Sequence, residues 1–316
     1  MINQLAGYLP VSVELSNDDY LVQWEYFGDR KLESPFFEDD VDKVRQNRVK
    51  PRVLSGIEKL IAPTPEIKML APNGFIFHMS KCGSTLVANL LKQRESTIVT
   101  SEPAMLIQLL MAKTPENEPY FNEVFRQTVY KQARVRRNIE SHYIIKFYSA
   151  AVFALKDIQA VFPQTPHIFL FRDPVEVLVS NLEDVTQQWY YHAPSLGISQ
   201  QQLIEDFSIL ELCALAVRNK AQCYLNHSNE QGMVINYKRL KEDATIQKIW
   251  EHFGITPNAQ DWQAMANARK INSKNPGNQF RSDTKSKYEK ASPRLKQVAH
   301  DIIGPVYEQL NAAMTF

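Results

Sequence analysis

Short apolar runs alternate with longer amphipathic stretches from Gly74 onward. Five runs are apolar and bounded by turn-forming residues, which is the pattern of buried strands: GFIFHM, TIVTS, YIIKFY, HIFLF and GMVIN. Apolar residues at helical spacing predict helices over residues 84–93, 119–140, 151–162, 174–187, 200–225, 238–253 and 292–310. This alternation predicts an α/β fold in three layers, with one central parallel sheet flanked by helices on both faces.

The first 70 residues differ from the rest and indicate an N-terminal extension, with the main domain at residues 71–316. Aromatic residues are concentrated here at Trp24, Tyr26, Phe27, Phe36 and Phe37. A segment of this size buries too little apolar surface to be stable alone. We therefore expect its aromatic side chains to pack on the main domain.

The charge balance argues against a nucleic-acid partner. The 36 Lys and Arg residues nearly balance the 35 Asp and Glu residues, so the net charge is +1. Such a chain has no broad positive field, and any anion site must be local. The basic run KQARVRR at residues 131–137 is accordingly interpreted as the solvated face of a helix.

Cysteine and histidine usage favours a reducing compartment and no metal centre. Cys82, Cys213 and Cys223 form no CxxC pair, and the seven histidines show no spacing typical of a metal site. The chain begins without the pattern of a secretory signal and contains no apolar stretch of membrane-spanning length. We expect a cytoplasmic protein without a membrane span.

The loop after the first strand of the main domain has the features of a phosphate-binding turn. It joins the strand GFIFHM to an amphipathic helix and consists of Ser80, Lys81, Cys82, Gly83, Ser84 and Thr85. The backbone N–H groups of such a turn and of the helix start converge on one point, where the helix dipole also favours an anion.

Other interpretations of this loop fit less well. A nucleotide triphosphatase loop, GxxxxGK[ST], would need glycine at His78 and lysine at Ser84. A tyrosine phosphatase loop would need arginine at Ala88, and a GxSxG nucleophile elbow does not occur. A small-residue turn before a core helix, with no ligand, remains open for the loop taken alone.

A second motif follows the strand HIFLF. Arg172 ends that strand, Asp173 and Pro174 are a good N-cap and first helical residue, and Ser180 follows Arg172 by eight residues. Arg172 is thus predicted at the carboxyl end of a parallel strand, where open α/β sheets bind ligands. A capped helix with a surface arginine is the alternative.

Together the two motifs resemble the sulfotransferase family, and their spacing is most similar to the tyrosylprotein and bacterial branch. The resemblance implies a P-loop-type fold that binds 3′-phosphoadenosine 5′-phosphosulfate (PAPS). The first loop, including Lys81, would hold the 5′-phosphosulfate, while Arg172 and Ser180 would hold the 3′-phosphate. Ser80 and Cys82 depart from the Pro and Ser of the family's usual loop.

The same resemblance gives Lys81, Glu102 and Lys146 as candidate catalytic groups. Lys81 would lie near the leaving phosphate and offset the negative charge that develops there. Glu102 lies 21 residues after Lys81, a spacing similar to that of the tyrosylprotein branch, and would be the general base. The alternative for Glu102 is a helix-start acid ahead of Pro103. Lys146 would touch the sulfuryl group, and a lysine in a buried strand requires an anionic partner in any case.

Two further segments are candidate parts of the site. The stretch INSKNPGNQFRSDTKSK resembles the basic loop that covers the nucleotide in many sulfotransferases, with Lys274, Asn275 and Arg281 as candidates, although a solvated loop fits equally well. The aromatic stretch QQWYYHAP at residues 187–194 could line an acceptor pocket or contact the N-terminal extension.

The leading hypothesis is a PAPS-dependent sulfotransferase that acts on a hydroxyl of a small molecule, lipid or peptide and needs no metal. The product would be 3′-phosphoadenosine 5′-phosphate (PAP). A non-catalytic protein that binds PAP is the alternative. A P-loop small-molecule kinase is disfavoured because Ser84 replaces the phosphate-binding lysine.

Overall fold

The N-terminal part of the chain forms an antiparallel sheet of its own. The computed structural model describes residues 5–16, 19–114, 118–183, 207–279 and 284–314. The sheet has the order β1-β2-β3 and consists of β1 (Tyr8–Ser16), β2 (Asp19–Tyr26) and β3 (Val53–Gly56). Helix α1 (Phe37–Gln46) lies between β2 and β3, and the short helix α2 (Glu58–Ile61) follows β3.

The five predicted strands form a parallel sheet at the centre of the protein. They are β4 (Gly74–His78), β5 (Thr97–Ser101), β6 (His142–Lys146), β7 (His167–Phe171) and β8 (Gly232–Asn236), in the order β5-β6-β4-β7-β8. Every residue of β4, β5 and β7 is buried, as expected for strands covered on both faces. The predicted α/β class and its parallel sheet are confirmed.

Helices flank this sheet and complete the three layers. They are α3 (Ser84–Lys92), α4 (Ala104–Ala112), α5 (Glu118–Gln132), α6 (Leu155–Val161), α7 (Pro174–Glu183), α8 (Ile209–His227), α9 (Asp243–His252), α10 (Ala259–Ala268), α11 (Thr284–Lys290), α12 (Pro293–Val298) and α13 (Gly304–Ala312). Short 3₁₀ helices at Ser149–Ala154 and Tyr237–Lys241 precede α6 and α9, and a π-helical turn at Ala299–Ile303 joins α12 to α13.

The predicted helix at 119–140 is too long, because a tertiary pairing ends it at Gln132. Met69 and Arg134 form an isolated antiparallel bridge. On either side of it, Leu70 N donates to Ala133 O (3.1 Å) and Val135 N donates to Lys68 O (2.9 Å). Residues 133–135 are therefore extended and paired with residues 68–70.

The interpretation of the basic run as a solvated helix face is wrong. Lys131 and Arg134 are buried. Lys131 Nζ donates to Ala62 O (2.9 Å), and Arg134 Nη1 donates to Tyr8 O (2.9 Å) while its guanidinium lies 5.3 Å from the ring centre of Trp24. These side chains hold the N-terminal sheet against the rest of the protein, so they offer no cationic surface to nucleic acid.

Candidate active site

The carboxyl ends of the parallel strands surround a cavity of about 540 Å³. The chain moves from β4 outward to β5 and β6 on one side of the sheet and later to β7 and β8 on the other. A sheet with this order opens a crevice beside its central strand, and ligands of open α/β folds bind there. The loop after β4, Glu102 after β5, Lys146 at the end of β6, and Arg172 after β7 all line the cavity.

The first loop is a tight turn that ends at the N-terminus of helix α3. Ser80, Lys81 and Gly83 have positive φ values of 99°, 48° and 86°. Such a turn ahead of a helix start is the backbone arrangement that forms anion cradles. Lys81 is half-buried and lines the cavity together with Ser84 and Thr85.

Glycine is required at position 83 for two reasons. Its φ is in the left-handed region, and a Cβ atom there would lie 2.6 Å from Cδ2 of Tyr237. The ring of Tyr237 also contacts the second motif, because the guanidinium carbon of Arg172 lies 4.1 Å from the ring centre. Tyr237 therefore packs between the two predicted phosphate motifs.

The thiol of Cys82 faces the sheet, although the residue borders the cavity. Its Sγ donates to the carbonyl oxygen of Leu170 at 3.0 Å, and burial raises the pKa of the thiol to about 12. The thiol is therefore protonated at neutral pH and is no nucleophile. The cysteine that departs from the usual family loop has a packing role.

The second motif combines a helix cap with a buried ion pair. Asp173 Oδ1 accepts hydrogen bonds from Val175 N (2.9 Å) and Glu176 N (3.2 Å), which starts helix α7 as predicted. Arg172 donates through Nε (2.9 Å) and Nη2 to Glu176 Oε2. Ser180 Oγ donates to Glu176 O (2.9 Å), and both Arg172 and Ser180 line the cavity.

Glu102 and Lys146 are brought together at neighbouring strand ends. Glu102 has a positive φ of 55°, a strained value for a residue other than glycine, and its N–H donates to Lys146 O at 2.7 Å. Lys146 Nζ forms an ion pair with Glu102 Oε1 and lies 3.3 Å from Thr85 Oγ1. The buried strand lysine thus has a carboxylate partner, and this pair borders the phosphate loop.

A different acid occupies the position that the helix-start alternative gave to Glu102. Glu38 Oε1, from helix α1, accepts a hydrogen bond of 3.1 Å from the N–H of Ala104, the first residue of α4. The carboxylate of Glu102 instead lines the cavity, with its side chain 25% exposed. The carboxylate of Glu102 is therefore accessible to a molecule bound in the cavity and does not cap helix α4.

His78 lies beneath this pair as a neutral imidazole. Its Nδ1 accepts a hydrogen bond from Ser80 N (3.2 Å), which leaves the ring proton on Nε2. Burial and the charge of Lys146 hold the pKa of His78 well below its usual value. Nε2 lies 3.8 Å from Glu102 Oε1, a contact that is not an ion pair at neutral pH.

Comparison with known protein families identifies the family to which this sequence belongs. The model described as "Sulfotransferase family" matches residues 72–259, which is more than half of the chain and includes both motifs. The chain belongs to the sulfotransferase family. The resemblance stated from the motifs is confirmed, as is the enzyme class that it implied, a sulfotransferase. No protein with curated annotation is detectably similar in sequence.

Solved sulfotransferase structures resemble the chain at low identity. A sulfotransferase domain from the curacin biosynthetic pathway has a TM-score of 0.48 at 14% identity, over 77% of this chain and 99% of that one. A sulfotransferase from Alicyclobacillus acidocaldarius has a TM-score of 0.44 at 15% identity, over 77% and 95%. A mouse sulfotransferase complexed with PAP has a TM-score of 0.42 at 13% identity, over 83% and 97%.

The basic segment of this sulfotransferase contributes residues that differ in part from those predicted. Lys274 lines the cavity, whereas Asn275 is exposed and does not. Arg281 and the aromatic stretch 187–194 lie outside the described residues. Lys287, a buried residue of helix α11, also lines the cavity. Lys287 belongs to the basic segment, but the interpretation of that segment as a loop gives no reason to name Lys287 as a site residue.

Helix α11 is attached to the second motif of the sulfotransferase. Thr284 Oγ1 donates to Glu176 Oε2 (2.9 Å), and Tyr288 OH donates to Asp173 Oδ2 (2.6 Å). These contacts place helix α11 beside the second motif. Within the described residues, no helix combines the length and apolarity needed to cross a bilayer.

Proposed function

We propose that this sulfotransferase uses PAPS as its sulfuryl donor and transfers the group to a hydroxyl acceptor, with Glu102 as the general base. The observation that carries the proposal is a concentration of positive charge in the cavity that the carboxylate of Glu102 lines. Five cationic side chains line the same cavity as Glu102: Lys81, Lys146, Arg172, Lys274 and Lys287.

The residues present fit the two anionic ends of PAPS. The turn around Gly83 and the N-terminus of the nine-residue helix α3 suit the 5′-phosphosulfate, with Lys81 beside them. Arg172, Ser180, Lys274 and the buried Lys287 suit a second phosphate at the 3′ position. The cavity volume of about 540 Å³ falls in the range of about 300–1,000 Å³ typical of small-molecule sites.

The side chains around Glu102 suit an in-line transfer. PAPS supplies an activated sulfuryl group. The acceptor oxygen forms a bond to sulfur while the bond from sulfur to the bridging phosphate oxygen breaks, and PAP leaves. Glu102 takes the proton of the acceptor hydroxyl, and Lys81 and Lys146 stabilise negative charge on the leaving phosphate and the sulfuryl oxygens.

Among the groups that line the cavity, Glu102 is the best candidate for the base. His78 carries its proton on Nε2, and its Nδ1 already accepts a hydrogen bond, so neither nitrogen is available. Glu183, the other carboxylate on the described cavity wall, is paired with Lys290 (2.6 Å), which does not line the cavity, whereas Lys146, the partner of Glu102, also contacts Thr85 of the first loop (3.3 Å). Since lysine and arginine supply the positive charge, the proposal requires no metal ion.

The acceptor is proposed to be a hydroxyl of a small molecule, lipid or peptide, and the compartment to be the cytoplasm. Cys82, Cys213 and Cys223 are free thiols, which supports a reducing environment. The burial of Lys131 and Arg134 supports the absence of a nucleic-acid partner.

Calorimetric titration tests the nucleotide part of the proposal. PAP, AMP and ATP are compared with and without magnesium, because PAP and AMP differ only in the 3′-phosphate. Tight, magnesium-independent binding of PAP with a large loss for AMP is expected. A preference for magnesium-ATP would contradict the proposal and favour the kinase.

Transfer of radiolabelled sulfate from PAPS to a panel of hydroxyl acceptors tests the catalytic part. Product formation that requires Glu102 is expected. Tight PAP binding with no transfer to any acceptor would favour the non-catalytic PAP-binding protein instead.

A further inference from the structure

An aromatic side chain from the N-terminal segment projects into the cavity beside the candidate base. Phe36 lines the cavity that contains Glu102, and its ring centre lies 4.9 Å from Nζ of Lys146. The ring is half-buried rather than packed in the core. One face of this apolar side chain therefore borders the space in which sulfuryl transfer would occur.

The backbone on both sides of Phe36 is held firmly. Ser34 N donates to both carboxylate oxygens of Asp40 (3.1 and 3.2 Å), and the buried ammonium of Lys92 donates to Ser34 O. On the other side, Phe37 is buried and stacks on Phe27 with ring centres 5.9 Å apart. The neighbours are thus anchored in the protein while the ring of Phe36 borders the cavity.

Helix α1, which begins directly after Phe36, is also joined to helix α4, which begins two residues after the candidate base. Glu38 of α1 caps helix α4 through Ala104 N, two residues after Glu102. Phe36 and Glu102 therefore share a rigid frame made of the starts of α1 and α4. A rigid frame of this kind is what positions a substrate relative to a catalytic group.

The segment that carries Phe36 lies outside the part of the chain that the family model matches, which begins at residue 72. Two polar side chains contact the carboxylate of Glu102: Lys146 forms its ion pair, and His78 Nε2 lies 3.8 Å from Oε1. The phenyl ring of Phe36 adds an apolar surface on the side of the cavity that holds these polar groups. Such a surface makes favourable contact with an apolar group and none with a hydrated polyol.

We propose that Phe36 is a specificity-determining residue that forms one wall of the acceptor subsite. It selects an alcohol that carries an apolar group next to the reacting hydroxyl and disfavours carbohydrate-like acceptors. The inference rests on the proposed function, because it assumes that Glu102 receives the acceptor proton. It assigns the N-terminal segment a part in substrate selection.

Two primary alcohols with the same reacting group test this role: 2-phenylethanol and ethanol, with PAPS as donor. The measured quantity is the ratio of their kcat/KM values. In Phe36→Ala this ratio falls by about tenfold, the factor that a loss of about 1.4 kcal/mol of contact free energy produces. Phe36→Leu, which keeps an apolar wall, retains most of the ratio.

The ratio separates acceptor contact from an indirect effect through Lys146. If Phe36 acted only by positioning Lys146, Phe36→Ala would slow both alcohols equally and leave the ratio unchanged, which would overturn the inference. Leu54→Ala is the matched control, since Leu54 is an apolar residue of the N-terminal sheet that is 55% exposed and does not line the cavity. Its ratio stays at the wild-type value.

Two wild-type results identify which proposal has failed. Faster sulfation of glycerol than of 2-phenylethanol by the wild-type protein overturns the acceptor inference while leaving the transferase function intact. PAP binding without transfer to any of the three alcohols or to a broader hydroxyl panel overturns the proposed catalytic function and the inference together.

Calorimetry checks that the Phe36→Ala variant is folded. Its affinity for PAP is expected to remain at the wild-type value.

Discussion

Glu102 and Lys146 form an ion pair between two adjacent strand ends, although 44 residues separate them in sequence. In the register of the sheet, Ser101 is the partner of Lys146, so Glu102 is the first residue beyond the paired strands. Its positive φ turns the chain at that point. The lysine is almost fully buried, whereas the carboxylate keeps access to the cavity. This arrangement holds a carboxylate at the cavity surface with a cation beside it.

Glu102→Gln tests the base. Glutamine keeps an oxygen that can accept from Lys146 but cannot take up the acceptor proton. We expect kcat to fall by about 100-fold, within the range for loss of a general base. The PAP dissociation constant is expected to stay at the wild-type value. Steady-state kinetics and calorimetry measure the two quantities.

The matched control is Glu183→Gln, which changes the other carboxylate of the described cavity wall. We expect its kcat to stay close to that of the wild-type protein. Equal losses in the two variants would show that general negative charge matters and would remove Glu102 from the mechanism.

Arg172 requires a double variant, because its removal leaves Glu176 buried without its cation. Arg172→Ala alone is expected to lower the free energy of unfolding by about 3–5 kcal/mol, the usual effect of breaking a buried pair from one side. Arg172→Ala with Glu176→Ala removes both charges and recovers much of that stability. Chemical denaturation measures these changes.

Binding separates stability from function in these variants. Both are expected to lose most of their affinity for PAP while keeping their weaker affinity for AMP, because Arg172 is the cation proposed to hold the 3′-phosphate. A double variant that is folded and binds PAP as the wild type does would show that Arg172 has only a structural role.

The thiol of Cys82 is expected to resist alkylation. With its pKa raised to about 12 by burial, only about one molecule in ten thousand carries the thiolate at pH 8. Iodoacetamide should therefore label Cys82 rapidly in denaturant and very slowly in the folded protein, as measured by mass spectrometry of the peptide. Rapid labelling of the folded protein at pH 8 would contradict this environment.

Lys220, a buried residue of α8, predicts a pH dependence of stability. Burial lowers the pKa of its ammonium to about 8 from an unfolded value of 10.5. Below about pH 8 both states hold the proton, and the folded state bears the whole burial penalty. Between about pH 8 and 10.5 the unfolded state binds more protons, so this penalty decreases as the pH rises.

Lys220→Met should accordingly stabilise the protein by up to about 3 kcal/mol at pH 7, and the gain should shrink toward zero near pH 10.5. Urea denaturation of both proteins at pH 7, 9 and 10.5 measures the difference. A gain that is constant over this range would show that packing, and not the charge, is responsible.

Local sequence patterns were enough to predict the parallel sheet and the edge of it that borders the cavity. Parallel strands buried on both faces are continuous apolar runs, and all five were found at their predicted places. The hydrogen bonds of Asp173 reach only two and three residues along the chain, and Pro174 is adjacent to it. The start of α7 could therefore be predicted without tertiary information. Because the carboxyl ends of parallel strands share one edge, the residues that follow β4, β5 and β7 line one cavity.

Contacts between distant segments could not be predicted in this way. The cap that Glu38 places on α4 joins residues 66 positions apart, and Arg134 reaches Tyr8 across 126 positions. Neither side chain differs in local pattern from a solvated charged residue. Burial of such charges is decided by the backbone carbonyls and N–H groups that another segment happens to present.

The sequence by itself determined the fold class, the order of the strands along the chain and the family, because short-range periodicity and two motifs encode them. Only the tertiary structure decided that Lys146 pairs with Glu102, that Arg172 forms a buried ion pair with Glu176, and that Phe36 from the N-terminal segment lines the cavity. The reason is physical: which side chains meet depends on how separately formed elements dock, and docking is governed by shape, burial and charge over the whole molecule.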